Sequence, residues 1–257
     1  MALLLFSPHP DDIAIAMGGF AALLAAGGSD GVTVVLATDG SESMIPRNVL
    51  ERHGWHPGMP PEEQRALRGR IRVAEAVEEI ARLGFDRGVV RLLEHQRWAS
   101  EHRTPPEHTH DDLSLRDVYR FEPGPVDAEA AEEIRALVDD DSICFVSDPN
   151  DRLIMHQIVT DLVMRVRGKA RVLTYECLST VEPTGPQFAV SFGEELMAMK
   201  CHAILAHESM IERRRQFGGY SNPGTESYDQ IVRRVNGELA GSIGCGFPFA
   251  ERFGYGQ

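Results

Sequence analysis

Short apolar runs alternate with amphipathic stretches along the first two-thirds of the chain. Ala2–Phe6, Val32–Thr38, Gly88–Leu93, Ile143–Ser147 and Ala170–Tyr175 carry little polar alternation. That pattern predicts strands covered on both faces, as in a parallel sheet. The stretches between them read as helices. Ala14–Ala26 ends at Gly27-Gly28 and Pro61–Leu83 ends at Gly84, followed by Asp127–Val138 and Leu153–Val166. In the last of these, Ile154, Ile158, Val159, Leu162, Val163 and Val166 form one helical stripe. The alternation predicts an α/β fold: a Rossmann-like, doubly wound, mostly parallel sheet with helices on both faces. Two polar segments break the rhythm, Ser41–Pro60 and His95–Pro125, and both read as long loops of the kind that cover sites. Beyond Tyr175 the pattern weakens. Glu194–Arg215 reads as one helix and the tail from Gly218 as Gly-rich and aromatic. We expect one domain over residues 1–257.

Composition narrows the partners. The 257 residues carry 26 Lys and Arg against 39 Asp and Glu, a formal charge of −13 that repels phosphates over most of the surface. Nucleic acid and anionic membranes are therefore not expected partners. The longest uncharged stretch, Ile13–Ser29, is 17 residues and holds four glycines, which suits a buried helix and its turn better than a membrane span. Cys144, Cys177, Cys201 and Cys245 form no CxxC pair, so reduced core thiols are expected. The N-terminal MALLLF lacks a basic leader. Together these features predict a soluble cytoplasmic protein, with a homo-oligomer left open.

The chemistry concentrates after the first strand. Ser7-Pro8-His9-Pro10-Asp11-Asp12 puts one imidazole and two carboxylates where open α/β sheets bind ligands, beyond the carboxyl end of a strand. His and Asp together suit Zn²⁺ or a similar divalent ion. The structural alternative is a turn whose Asp caps the following helix. The second strand also ends polar, at Thr38-Asp39-Gly40. Strand four ends at Asp148-Pro149-Asn150-Asp151-Arg152, with His156 in the first turn of the next helix. If strands one and four are neighbours, His156 and His9 face the same ion. Taken singly, His156 reads equally as a structural or solvated histidine.

These residues resemble the PIG-L/LmbE-like deacetylases, metal-dependent enzymes that remove the N-acetyl group from N-acetylglucosamine conjugates and related amides. The opening motif is similar to His9-Pro10-Asp11-Asp12 followed by Gly18-Gly19. Thr38-Asp39-Gly40 is similar to the end of the family's second strand, and Arg72-Val73-Ala74-Glu75-Ala76 with Leu83-Gly84 to its RxxEA…LG helix. Asn150-Asp151-Arg152 through His156 sits at its NDxHPDH, Lys200 through His207 and Ser209 at its KxxxLxxHxSQ, and Ala250-Glu251-Arg252-Phe253 at its AExF ending. The resemblance implies that His9, Asp12 and His156 bind the metal, zinc or another divalent transition metal. It implies that Asp11 is the general base taking a proton from water at the metal, and that Arg72 touches a small-molecule N-acyl amino sugar or amide. Arg72 reads equally as a solvated helix residue paired with Glu75. His207 matches a family histidine and is a second catalytic candidate.

The sequence departs from the pattern where the family carries an acid. The first His and the Asp of NDxHPDH are Leu153 and Met155, and its Pro is Ile154. Ile13 replaces the Glu after HPDD, and Met210 replaces the Gln after HxS. Losing general-acid help costs roughly 10²–10⁴-fold in rate. The replacement candidates are His207, His95, His53, His56, His108 and His110. The alternatives are a less demanding leaving group, or a silent relative that binds metal and ligand without turnover. A nucleotide-binding module is disfavoured, since neither GxGxxG nor a Walker sequence follows the first strand. His108-Thr109-His110 with Asp111-Asp112 reads as a solvated loop rather than a second metal site. Trp55 and Trp98 read equally as sugar platforms or as pins for their own loops.

Overall fold

The structure, a computed structural model, describes residues 1–28, 30–94, 128–180, 182–183, 185–217 and 226–256. Its centre is a seven-stranded sheet. The strands are β1 (Leu3–Ser7), β2 (Val32–Leu36), β3 (Val90–Leu92), β4 (Ile143–Ser147), β5 (Arg171–Tyr175), β6 (Gln187–Phe192) and β7 (Phe249–Tyr255), in the order β3-β2-β1-β4-β5-β7-β6. The first five run parallel, while β7 pairs antiparallel with both β5 and β6. β1 lies between β2 and β4, with Leu3 opposite both Val32 and Ile143. The chain thus reverses its direction of winding at β1, and such switch points open a crevice at the strands' carboxyl ends. The neighbour relation that the sequence left conditional is met.

The helices are α1 (Asp12–Ala26), α2 (Arg47–Arg52), α3 (Pro61–Arg82), α4 (Ala128–Leu137), α5 (Ile154–Val166), α6 (Glu194–Ile204), α7 (Glu208–Phe217) and α8 (Tyr228–Ile243). Alternate strand residues serve two cores. Leu5, Val34, Leu36 and Phe145 pack with α1, α3 and α6. Leu4, Phe6, Val35, Cys144 and Val146 pack with α4 and α5. This two-sided burial is why the strands read as unbroken apolar runs.

Three expectations change. Ser41–Pro60 is not all loop, since α2 lies within it. Ile45, Val49 and Leu50 form a small core with Leu67 and Ile71, and Trp55 and Met59 pack against it. Trp55 pins its own segment, with the Arg47 guanidinium 4.9 Å from its ring centroid. Glu194–Arg215 is two helices broken around Leu205–His207 rather than one. The weak tail contains α8 and β7. His95–Pro125, with His95, Trp98, His108 and His110, lies outside the described residues. Among the described residues, no helix is long and apolar enough to cross a membrane.

Candidate metal centre

The loop after β1 is held from two sides. Thr38 Oγ1 donates to the Pro8 carbonyl at 2.8 Å and Ser7 Oγ to the His9 carbonyl at 2.5 Å. Beneath the loop, Tyr175 Oη donates to the Phe6 carbonyl at 2.7 Å, tying β5 across to β1. Asp39 does not join the site's carboxylates through its Oδ1, which accepts the Ser41 N–H at 2.9 Å and closes its own turn. The helix after β4 begins at Ile154, so its first turn carries His156 back over the same crevice.

Three side chains converge there. His9 Nδ1 lies 3.1 Å from His156 Nε2, and Asp12 Oδ2 lies 3.3 Å from each of these nitrogens. Ligand atoms around a tetrahedral ion with bonds of about 2.0–2.1 Å sit about 3.3 Å apart. The donor set and its spacing therefore fit a small divalent cation with nitrogen and oxygen preferences. His9 is partly open, while Asp12 and His156 are buried. Burial alone would raise the Asp12 carboxyl's pKa, but His156 and His9 hold it far below the ordinary range. His156 is correspondingly raised well above the usual imidazole value, against its burial, by Asp12 and Asp151.

Asp151 stands behind His156, with Oδ2 3.2 Å from His156 Nδ1. It is fixed by the Leu153 N–H on Oδ1 and the Ser179 hydroxyl on Oδ2. It faces His156 Nδ1 as a charged neighbour rather than in hydrogen-bond geometry. Asp151, His156 and Cys177 also cluster, and burial pushes the Cys177 thiol up to about 12.

Asp11, the neighbour of Asp12 in the chain, is held through one carboxylate oxygen. Its Oδ1 lies 2.9 Å from Arg72 Nη2. Arg72 is buried rather than solvated. Its Nη1 also meets Glu75 Oε2 at 3.1 Å, His207 Nδ1 at 3.2 Å and Ser209 Oγ at 3.3 Å. His207 is fully buried, and its Nε2 bonds Glu79 Oε2. The break between α6 and α7 turns His207 inward to reach that carboxylate. Burial would depress this imidazole, but Glu79 and Glu75 outweigh it and push its pKa up to about 9. The structure thus brings His9, Asp12 and His156 together, pairs Asp11 with Arg72, and sets His207 behind Arg72. His53 and His56 are exposed on the α2 segment. Leu153 and Met155 stand one turn before and beside His156, and Leu153 is 41% exposed.

Sequence reasoning missed Asp151's place behind His156, and Glu79 altogether. The signal for Glu79 was present: Arg72, Glu75 and Glu79 repeat at i, i+3 and i+7 along α3 beside the core residues Ile71, Ala76 and Ile80. Charges at core-facing positions mark a buried polar stripe.

The family model described as GlcNAc-PI de-N-acetylase, PIG-L, matches residues 4–167. The chain belongs to the PIG-L family. The matched PIG-L region holds β1 through α5, and with them His9, Asp11, Asp12, Arg72, Glu75, Glu79, Asp151 and His156. Comparison with curated proteins gives no match. Among solved structures, a deacetylase–bog complex from the teicoplanin biosynthesis pathway is similar at 18% identity and a TM-score of 0.64, covering 99% of this chain and 97% of that chain. The zinc-inhibited form of the teicoplanin deacetylase Orf2 gives the same figures. N,N'-diacetylchitobiose deacetylase from Pyrococcus horikoshii is also 18% identical, with a TM-score of 0.58 over 99% of this chain and 83% of that chain. At these identities the likeness is one of fold, and it takes in α6, α7, α8 and β7 beyond the region the family model matches.

Proposed function

We propose that this protein is a metal-dependent hydrolase that removes an N-acyl group, acetyl in the first instance, from an amino sugar or related small-molecule amide. The observation that carries the reading is the convergence of His9 Nδ1, Asp12 Oδ2 and His156 Nε2 within 3.1–3.3 Å of one another, with Asp11 beside them. Family membership and the deacetylases among the similar structures support it.

His9, Asp12 and His156 would hold the ion, with zinc the first choice for two imidazoles and a carboxylate. A divalent ion bound there lowers the pKa of water from about 16 towards about 7 and polarises an amide carbonyl. Asp151 faces His156 Nδ1 from behind as a charged neighbour. With Asp11 Oδ1 bound to Arg72, Oδ2 is the oxygen that takes a proton from the attacking water. The departing nitrogen needs a proton, and neither Leu153 nor Met155 has one to give. In this reading Asp11 Oδ2 returns the proton it took. His207 is sealed behind Arg72 and serves the site through it.

A second reading, a relative that binds metal and ligand without deacetylation, is favoured by those same two side chains at the family's acid positions. One set of measurements separates the two. Purified protein should hold about one equivalent of zinc, lost in His156→Ala. Acetate release from a panel of N-acetyl sugars should fall roughly 10²–10⁴-fold in Asp11→Asn at unchanged zinc content. Because a similar deacetylase is known in a zinc-inhibited form, rates are read at one equivalent as well as in excess. Full occupancy with no amide hydrolysed would establish the silent reading. Full occupancy retained in both His9→Ala and His156→Ala would remove the metal assignment.

A further inference from the structure

The residue before a helix usually spends its side chain on the helix. An Asp at that position accepts a hydrogen bond from one of the first free amides, and replacing a good cap is costly. Asp11 occupies this position for α1, and its carboxylate makes no such bond. The amide it would satisfy is not left bare. Ala14 N–H, three residues on, donates at 2.9 Å to Oε1 of Glu79, 65 positions away on α3. Asp12, the other acid of the pair, is also turned away from the helix, since its Oδ2 accepts the His9 N–H at 2.6 Å.

We infer that Glu79 is a positioning residue that caps α1 in place of Asp11 and so frees the Asp11 carboxylate for the site. Four contacts make the exchange specific. Glu79 Oε1 takes the α1 amide, and Glu79 Oε2 is held by His207 Nε2. His207 Nδ1 in turn meets Arg72 Nη1, while Arg72 Nη2 takes Asp11 Oδ1. One buried chain therefore removes the competing partner from Asp11 and supplies the one that aims it. Glu79 and His207 are each about 1% exposed or less. Neither is open to a substrate, and both act only through what they hold. A carboxylate offered two partners, a helix amide or a guanidinium, divides between them. Here the Ala14 amide is already occupied by Glu79, and Asp11 takes the guanidinium.

This inference rests on the proposed role of Asp11, and its test has an arm that does not. In Glu79→Ala the α1 amide loses its acceptor. A crystal structure of that variant should show the Asp11 carboxylate rotated onto the Ala14 N–H and away from Arg72. Its kcat per zinc-loaded site should fall by about 10²-fold, the scale of a misplaced catalytic group, with KM and zinc stoichiometry unchanged. Glu79→Gln keeps a carbonyl oxygen for the Ala14 N–H, while its amide nitrogen, a donor like His207 Nε2, gives up the bond to His207. It should restore most of the lost kcat, and it provides the measurement if the Ala variant fails to fold. A merely structural Glu79 would lower the folded or zinc-loaded fraction in both variants and leave kcat per loaded site unmoved. Asp11 still on Arg72 in Glu79→Ala, or an unchanged kcat per loaded site in both variants, overturns the inference. If the wild-type protein hydrolyses no amide, the proposed function fails while the rotation of Asp11 still decides the capping exchange.

Discussion

Two buried polar clusters lie on either side of α1, and they are built for different ends. The first is the chain from Glu79 through His207 and Arg72 to Asp11. The second joins Lys200, Glu251 and Asn236. Lys200 Nζ donates to Glu251 Oε1 at 2.7 Å and to Asn236 Oδ1 at 2.9 Å, and Asn236 donates to the Ala250 carbonyl. Glu251 also accepts the Gly19 and Phe20 amides at 2.9 and 2.8 Å. Those amides are available because α1 leaves helical geometry at Met17 (φ −132°, ψ 24°). A break in a helix exposes amides as a true N-terminus does, and a carboxylate there is favoured. Gly18 and Gly19 allow the approach: a Cβ at residue 19 would lie 2.3 Å from the Phe192 ring, and one at residue 18 would lie 2.8 Å from Lys200 Cγ. This second cluster is closed, one cation against one anion with both side chains fully buried. The first opens at one end, where the Asp11 side chain keeps 15% of its surface exposed. A closed pair fixes packing, whereas an open chain hands its order to a group at a surface.

The contrast predicts that damage to the closed cluster registers first in stability. Lys200→Ala leaves the Glu251 charge buried without its partner, and breaking such a pair costs about 3–5 kcal/mol. Urea denaturation should show that loss, or the variant should not fold. The paired change Lys200→Met with Glu251→Gln should recover part of it, because no buried charge remains and the amide oxygen still meets one of the two α1 amides. Equal losses in the single and double variants would mean that shape, rather than charge, holds this junction.

The open cluster carries its own pH signature. The His207 pKa is raised in the folded protein to about 9 from an ordinary value near 6.5. The stability it contributes is fully present below about pH 6.5 and is lost as pH rises through about 9, by at most about 3 kcal/mol. His207→Gln removes the titrating group. The stability gap between wild type and this variant should therefore be widest near pH 6 and narrow by about that amount near pH 10. A gap constant with pH would mean that His207 is neutral against Glu79.

The sequence was most legible where one kind of force decided the outcome. β1, β2, β4 and β5 are runs such as LLLFS and ICFVS with apolar neighbours on both faces, and each lies close to its expected place. The triad was legible as fragments: His9 and Asp12 lie three positions apart in the chain, while His156 depended on β1 and β4 being neighbours, which topology alone decides. α8 and β7 were not legible. Asn236 and Glu251 occupy buried positions there and are satisfied by Lys200, 36 and 51 residues away, so the apolar period is interrupted by partners that only the fold supplies. The break around His207 was hidden for the same reason. Local propensity continues a helix through Leu205–His207, but Glu79 and Arg72 draw the imidazole inward. Trp55 was left undecided between two uses, because the small core that it joins depends on Leu67 and Ile71 from α3.

The finest difference between the clusters is redundancy, and single hydroxyl and amide deletions measure it. Glu75 accepts three bonds: the Ser209 N–H at 2.7 Å, the Ser209 hydroxyl at 2.5 Å and Arg72 Nη1 at 3.1 Å. Ser209→Ala removes only the hydroxyl and leaves the carboxylate with a backbone amide and a guanidinium. The hydroxyl also accepts from Arg72 Nη1 at 3.3 Å, so the expected cost is that of one strong and one long hydrogen bond, about 1–2 kcal/mol. Asn236 has no such understudy. Asn236→Ala takes one of the two acceptors from Lys200 Nζ and leaves the Ala250 carbonyl without its side-chain donor, so its cost should exceed that of Ser209→Ala by about 1–2 kcal/mol. Both are read by denaturant titration at one pH. Equal costs would show that the closed cluster finds replacement partners as readily as the open one, and the division between a packing cluster and a positioning cluster would then rest on Asp11's exposure alone.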